Sequence, residues 1–292
     1  MNNRKTAYLT ILTFFVLIAA TPLNSLAIQN TPAASSATGD VLSEGGWWSD
    51  LPKEEKMFYT TTASAAIIGI WGLATWDYGS SGLHKADEGW FEKDSKYGGA
   101  DKLGHFWATY TFSDALTGLY KSWGYDSQKA NTYGALSAWV VQAAMEIGDA
   151  TSESQGFSWE DMVMNTFGAL TSMLMENYPE LDRKIDFRVE YYFNVDVNNI
   201  FDDYSNQYYS IALKLDGFDV MENTFLKYLE LHAGYYSRGY DTEEVSKNRA
   251  FYGGITINLS RFFYQNDFKK TGKVLEYLQL PYTVLKASHE LD

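Results

Sequence analysis

The sequence predicts an α+β protein in which an N-terminal four-helix unit precedes a four-stranded antiparallel β-meander. Up to residue 178 the apolar residues recur with helical spacing, whereas after Pro179 they alternate with polar residues at every second position. Segments rich in Asp, Asn and Gly separate the alternating stretches, which is typical of turns. We expect the helices at about 53–76, 102–122, 128–149 and 159–177.

The four predicted strands each carry apolar or aromatic residues on one side. Their alternating positions are Phe187, Val189, Tyr191 and Phe193; Tyr209, Ile211, Leu213 and Leu215; Leu229, Leu231, Ala233 and Tyr235; Ile255, Ile257 and Leu259. A partly basic segment before Pro281 is predicted to be helical. The expected organisation is a helical domain over 47–178, an antiparallel β region over 179–265 and a C-terminal helical segment over 266–292.

The N-terminus has the pattern of a secretory signal peptide. Arg4 and Lys5 precede an apolar run over 7–20, and Ser25-Leu26-Ala27 fits the small-x-small cleavage pattern. We therefore predict a signal peptide over 1–27, a flexible spacer over 28–46, and export to the periplasm or outer membrane of a Gram-negative bacterium. An uncleaved membrane anchor is the alternative.

Composition excludes several classes of function. The net charge is −14, and removal of the leader makes it more negative, which argues against nucleic acid as a partner. No P-loop or dinucleotide motif supports a nucleotide ligand, and no nucleophile elbow supports a serine hydrolase. The chain has no cysteine, so disulfides, catalytic thiols, Cys-zinc sites and a lipidated N-terminal cysteine are all excluded.

Two features leave the relation to the membrane open. Residues 57–76 are uncharged and long enough to span a bilayer, but they are rich in Thr, Ala, Ser and Gly. Both a soluble or peripheral bundle and an embedded bundle fit this pattern. The tyrosine-rich strands also fit an outer-membrane barrel, although four strands are fewer than the roughly eight that one chain needs to close one.

Three polar clusters occur inside otherwise apolar helical stretches. Each is spaced so that its members share one helix face: Asp101-Lys102-x-x-His105, Glu146-x-x-Asp149 and Asp161-x-x-x-Asn165. Ionisable groups on packed faces need partners, so the three clusters are expected to converge in one polar pocket. The long, Gly-rich and charged loop over 77–100 precedes the first cluster, and loops of that length are often functional.

The residue types in the pocket suggest specific roles. Lys102 would meet an anionic group, and His105 and Glu146 would transfer protons, so these three are the candidate catalytic residues. Asp101 and Asn165 are candidate ligand-binding residues. Asp149 and Asp161 are candidate ligands of a divalent metal, the one cofactor that the pattern suggests.

Structural explanations compete with these roles. Asp101 is placed to be the N-cap of its helix, and Ser158 with Asp161 forms a capping-box pattern. The remaining charged residues could form a buried ionic network that only fixes the helix packing.

The chain resembles the YfiM-type family of predicted periplasmic lipoproteins, a domain of unknown function, through three blocks. They are Gly89-Trp90-Phe91; Gly98-Gly99-Ala100-Asp101-Lys102-Leu103-Gly104-His105; and Gly156-Phe157-Ser158-Trp159-Glu160-Asp161 with Asn165 and Gly168. The resemblance extends into the strands at Asp203 and Gly234 and implies envelope localisation without a defined chemistry. A weaker similarity to VanZ-like four-helix membrane proteins implies that the four helices form one unit.

The expected function is that of an exported bacterial envelope protein. Its polar pocket would bind or process a phosphate- or metal-bearing lipid or glycan, and its partners would be the membrane surface or such an envelope ligand. The alternative is a non-catalytic structural envelope protein, or an outer-membrane β-assembly, whose polar cluster only fixes the packing. Whether a reaction is catalysed stays open.

Overall fold

The computed structural model describes residues 46–194, 201–240 and 246–292. The predicted signal peptide and all but the last residue of the predicted spacer lie outside these ranges. Within them the protein is α+β, and its helices precede most of its strands.

Eight α-helices are present in the described residues. They are α1 (Trp47–Asp50), α2 (Lys53–Thr75), α3 (Ala100–Ser122), α4 (Ser127–Asp149), α5 (Trp159–Asn177), α6 (Pro179–Asp182), α7 (Leu259–Gln265) and α8 (Lys269–Val274). The four helical stretches predicted from periodicity correspond to α2 through α5. The short helices α1, α6 and α7 are additional.

The starts of three long helices follow from local chemistry. Asp126 Oδ1 accepts a hydrogen bond from the Lys129 amide at 2.9 Å and caps α4. Ser158 Oγ accepts from the Asp161 amide at 3.2 Å and caps α5. The expectation that Asp101 caps α3 is wrong. Helix α3 begins at Ala100, so its N-cap is Gly99 and Asp101 lies inside its first turn. Gly99 has a φ of 81°, a left-handed conformation that glycine adopts without strain.

Contacts at the helix ends define how the bundle is arranged. Lys53 Nζ donates to Gly124 O at 3.2 Å at the start of α2, and Tyr78 donates to Met145 O at 3.1 Å just beyond its end. Helix α2 therefore runs beside α4 in the same direction, while α3 packs against both α4 and α5. The start of α3, the end of α4 and the start of α5 meet at one end of the bundle.

The sheet has six strands in the order β5-β1-β2-β3-β4-β6. They are β1 (Ile185–Tyr191), β2 (Gln207–Lys214), β3 (Leu229–Arg238), β4 (Asn248–Ile257), β5 (Leu278–Gln279) and β6 (Leu285–Glu290). Strands β1 to β4 form an antiparallel meander that overlaps the four predicted segments, but β4 shares only residues 255–257 with the last of them, because Leu259 begins α7.

Two predictions about the C-terminal region need correction. Strand β5 pairs in parallel with β1, and β6 pairs antiparallel with β4, so the sheet is mixed and larger than the predicted four strands. Residues 266–292 are not helical throughout, since α8 ends at Val274. Both added strands are short and lie at the edges of the sheet. They form by pairing with β1 and β4, and local sequence does not encode where β1 and β4 lie.

Both faces of the sheet contain buried residues. On one face Phe187 and Val189 pack with Phe106 and Tyr110 of α3. On the other face Arg188 is 2% exposed and contacts Asp186 and Glu230 at 2.5 and 2.7 Å.

Strands β1 and β6 also meet across that second face. Glu190 of β1 contacts Lys286 of β6 at 2.5 Å, although three strands separate them in the sheet order. The sheet therefore curls around a polar face.

Candidate functional site

Lys102 is the centre of a buried ionic cluster. Its side chain has no exposed surface, and its Nζ lies 2.5 Å from Glu88 Oε2, 2.8 Å from Asp101 Oδ2 and 2.8 Å from Asp161 Oδ1. These carboxylates come from the loop before α3, from α3 itself and from α5. A buried ammonium group is tolerated only with such partners, so Lys102 holds three segments together.

Glu88 was not among the residues predicted for the site. Its other oxygen, Oε1, contacts Lys96 Nζ at 2.5 Å, and Lys96 also donates to Gln155 Oε1 at 2.7 Å. The Lys96 amide donates to Glu88 O at 2.8 Å, which folds the loop back on itself. The length and charge of the loop over 77–100 were the available signal, but they do not single out Glu88.

His105 lies between two carboxylates from different helices. Its Nδ1 is 3.5 Å from Glu146 Oε1, and its Nε2 is 3.6 Å from Asp161 Oδ2. One ligand atom from each of the three residues lies within 4.8 Å of the other two. The predicted convergence of α3, α4 and α5 therefore occurs at His105, Glu146 and Asp161.

Glu146 is buried with only one of its two carboxyl oxygens hydrogen-bonded. Its Oε2 accepts from the Ser158 amide at 3.2 Å, while its Oε1 has no hydrogen-bond partner among the described residues. Burial, followed by the negative charges of Asp161 and Asp149, raises the pKa of Glu146 to about 9. This environment favours the protonated form of the Glu146 carboxyl group.

The neighbouring carboxyl groups have different electrostatic environments. Burial raises the pKa of Asp101 to about 7 even though Lys102 opposes the shift. Burial also disfavours ionised Glu88, but Lys96 and Lys102 outweigh it and lower the pKa of Glu88 to about 2. Glu88 is therefore the carboxylate that most firmly balances the two lysines.

Asp149 lies at the edge of the cluster. Its side chain is half-buried and is hydrogen-bonded to Tyr78, which follows α2. Burial raises the pKa of Asp149 to about 7. Among the described residues Asp149 is not part of a group with metal-ligand spacing, in contrast to Asp161.

Asn165 belongs to a neighbouring hydrogen-bond layer. It is fully buried one helical turn after Asp161, and its Oδ1 accepts from Thr109 Oγ1 at 2.8 Å and from Gln142 Nε2 at 3.5 Å. These bonds join α3, α4 and α5 one helical turn away from the ionic cluster. Asn165 therefore bonds to Thr109 and Gln142, and no hydrogen bond among the described residues links it to His105, Glu146 or Asp161.

The geometry brings most of the predicted residues into one cluster at one end of the bundle. Lys102, Asp101, His105, Glu146 and Asp161 are all members, and Glu88 joins them. The cluster has four carboxyl groups and one ammonium group, that of Lys102, which is already bonded to carboxylates. The excess of carboxyl groups makes the cluster suited to a cation.

The residues around the polar cluster are similar to a known protein family. Residues 87–177 match the family model described as Predicted periplasmic lipoprotein (DUF2279). The match stops at the end of α5, so the strands are outside it. No curated protein and no solved structure matches the chain significantly, and the similarity to VanZ-like proteins receives no support.

The matched region runs from the residue before Glu88 to the last residue of α5, so it contains the whole polar cluster. The family description supports an exported envelope protein. Over residues 87–177 the resemblance to the predicted periplasmic lipoproteins of DUF2279, a family of unknown function, is confirmed.

Proposed function

We propose that this protein acts in the cell envelope by binding a divalent cation between His105, Glu146 and Asp161. The observation that carries the proposal is the unpaired oxygen Oε1 of Glu146. This atom is buried and has no hydrogen-bond partner in the part of the chain that the structure describes, yet it faces His105 Nδ1 at 3.5 Å. Leaving a buried carboxyl oxygen unpaired costs about 1–3 kcal/mol, and a cation at this position would remove that cost.

The donor set indicates which cations fit. One imidazole nitrogen and two carboxylate oxygens suit a hard or borderline divalent ion such as Mn²⁺ or Zn²⁺. Each carboxylate has a second contact that orients it, since the Ser158 amide bonds Glu146 and Lys102 Nζ contacts Asp161. Such supporting contacts are typical of metal ligands.

The same geometry changes the role expected for Lys102. Its ammonium group has three carboxylate contacts and no exposed surface, so it is not available to an incoming anion. A phosphate-bearing lipid or glycan would instead meet the bound cation. The His105 side chain, 12% exposed, is the most accessible of the three proposed ligands and would border that approach.

The direct test is metal binding by purified protein. The full chain is stripped with EDTA and titrated with Zn²⁺ and with Mn²⁺ by calorimetry, first as wild type and then as Glu146→Gln. We expect Glu146→Gln to weaken binding by at least about tenfold, because it replaces an anionic ligand with a neutral amide.

Asp149→Asn is the matched control. It changes a carboxyl group in the same last turn of α4 that is bonded to Tyr78, and it should bind the ion like wild type. The proposal fails if wild type binds neither ion. It also fails if the two variants lose affinity equally, because the effect would then be one of overall charge.

A purely structural role is the second candidate. Lys102 bonds carboxylates of three separate segments, which is what a network that fixes helix packing requires. In that case His105→Ala should lower the thermal midpoint of metal-free protein, and wild type should bind no ion. Unchanged melting with lost metal binding would favour the metal site.

A further inference from the structure

The described part of the molecule has two buried apolar clusters, around Tyr110 and Tyr120, but it also exposes many large apolar side chains and buries several charged ones. None of its isoleucine or phenylalanine residues is buried, whereas Lys102, Arg188 and Glu230 are at most 2% exposed. Water-soluble proteins bury large apolar side chains and leave charged ones outside. A surface of large apolar side chains around a polar interior is the arrangement expected in lipid.

Helix α2 shows this most clearly. Gly72 is its one buried residue, and Phe58, Ile67, Ile70 and Leu73 are between 53% and 67% exposed. Its charged residues are confined to the first turn, and it is long and apolar enough to cross a membrane. At 1.5 Å per residue its length is about 34 Å, which matches a hydrocarbon core of about 30 Å.

The outer faces of α4 and α5 continue the apolar surface. Leu136, Val140 and Ile147 are exposed on α4, and Phe167, Leu170 and Leu174 are exposed on α5. The inward faces of the same helices carry polar residues, including Asn131, Gln142, Asn165 and Ser172, all buried. No charged residue lies between Lys129 and Glu146 of α4 or between Asp161 and Glu176 of α5.

Helix packing and tryptophan positions agree with this surface. A Cβ added to Gly168 would overlap Phe106 O, and one added to Gly134 would overlap Thr117. The helices thus approach each other through small residues, as membrane helices do. Trp76 and Trp159 lie near the cluster end of the bundle and Trp48 lies at the other end, which is where tryptophan sits in spanning segments.

We infer that α2 crosses a lipid bilayer and that the outer faces of α4 and α5 contact acyl chains beside it. The ionic cluster is then at one boundary between lipid and water, because it lies beyond the ends of the uncharged stretches at 57–75, 130–145 and 162–175. The sequence has no cysteine to carry a lipid, and this apolar surface attaches the protein to the membrane without one. The inference does not depend on the proposed cation.

Spin labels can test the inference because the chain has no native cysteine. Single variants Ile70→Cys, Val140→Cys and Leu170→Cys are spin-labelled in the full chain and reconstituted into vesicles of phosphatidylethanolamine and phosphatidylglycerol. Lys129→Cys and Glu55→Cys, at exposed positions in first turns, are the matched controls. We expect frequent collisions with oxygen and rare collisions with a nickel chelate at the three apolar positions, and the reverse at the controls.

Three results would overturn the inference. Frequent collisions with the nickel chelate at Ile70, Val140 and Leu170 would place them in water. Rare collisions with both reagents would place them against protein, so that a second copy of the chain would cover the surface. Alkaline carbonate extraction of unsubstituted protein is an independent measurement that does not depend on variant folding. Release into the supernatant would also contradict the inference.

Discussion

Ser158 donates its backbone amide hydrogen to Glu146 Oε2 at 3.2 Å, while its own hydroxyl accepts from the Asp161 amide. The capping-box pattern predicts that the Asp161 side chain would accept the Ser158 amide. Glu146 of α4 takes that place, and the Asp161 carboxylate instead contacts Lys102 and His105. The start of α5 is thereby bonded to the end of α4, and one carboxylate becomes available to the candidate metal site.

Replacement of Lys102 should destabilise the protein strongly. Lys102→Met leaves Glu88, Asp101 and Asp161 buried without their common counter-charge, and we expect a loss of about 3–5 kcal/mol in the free energy of unfolding. Chemical denaturation in detergent measures it. Lys129→Met is the control, because Lys129 is exposed and its ion pair with Asp126 is exposed too, and it should change stability by less than about 0.5 kcal/mol. Equal effects of the two variants would contradict the assigned role of Lys102.

The metal-free protein should lose stability as pH rises from about 5 to 9. The folded pKa of Glu146 is raised to about 9, so the folded state keeps a proton that the unfolded state releases above its ordinary pKa. The stability present below that ordinary pKa is therefore lost as pH rises through the folded value. Asp149, with its pKa raised to about 7, acts in the same direction over a lower window.

Denaturation in EDTA across this pH range provides the measurement. We expect Glu146→Gln to flatten the profile and to be more stable than wild type near the alkaline end, since its amide needs no proton. A profile of wild type that stays flat would show that Glu146 ionises in the folded state without cost.

Close packing between α3 and α5 should make Gly168 intolerant of a side chain. In Gly168→Ala the new methyl group would overlap Phe106 O and lie 2.9 Å from Thr109 Cβ, so we expect a loss of about 1–3 kcal/mol. Gly118→Ala in α3, with no atom within 4 Å of the added Cβ, should gain about 0.5–1 kcal/mol instead. Thermal melts of the two variants in the same detergent compare them, and a shared sign would refute the packing argument.

Arg188 should matter to the sheet as Lys102 does to the helices. Arg188→Met leaves Glu230 buried without its arginine and leaves Asp186 with Lys214 alone, and we expect a loss of about 3–5 kcal/mol. Arg183→Met removes an exposed arginine that pairs with Glu180 and Asp219, and should cost less than about 1 kcal/mol. Unfolding curves that do not separate the two variants would show that the sheet's polar face is open to water.

Local pattern was sufficient for much of the architecture. Helical periodicity located α2 through α5, and period-two alternation located β1 through β4. It could not locate β5 and β6, because a two-residue parallel pairing and an edge strand are defined by their neighbours. Local pattern also failed to predict the burial of polar residues of β1 such as Arg188. Alternation assigns Arg188 to an outer face, whereas the curled sheet encloses it.

The sequence by itself determined that the members of each of the three polar clusters lie on one face of their helix, because residues three and four apart on a helix lie on the same side. It also determined that Lys102, His105, Glu146 and Asp161 needed partners. Only the tertiary structure decided the partners. It brought Glu88 from a loop to Lys102 and placed Asp149 and Asn165 at the margins. Which side chains meet depends on how helix ends and loops are juxtaposed, and no local pattern encodes distances between segments far apart in the chain.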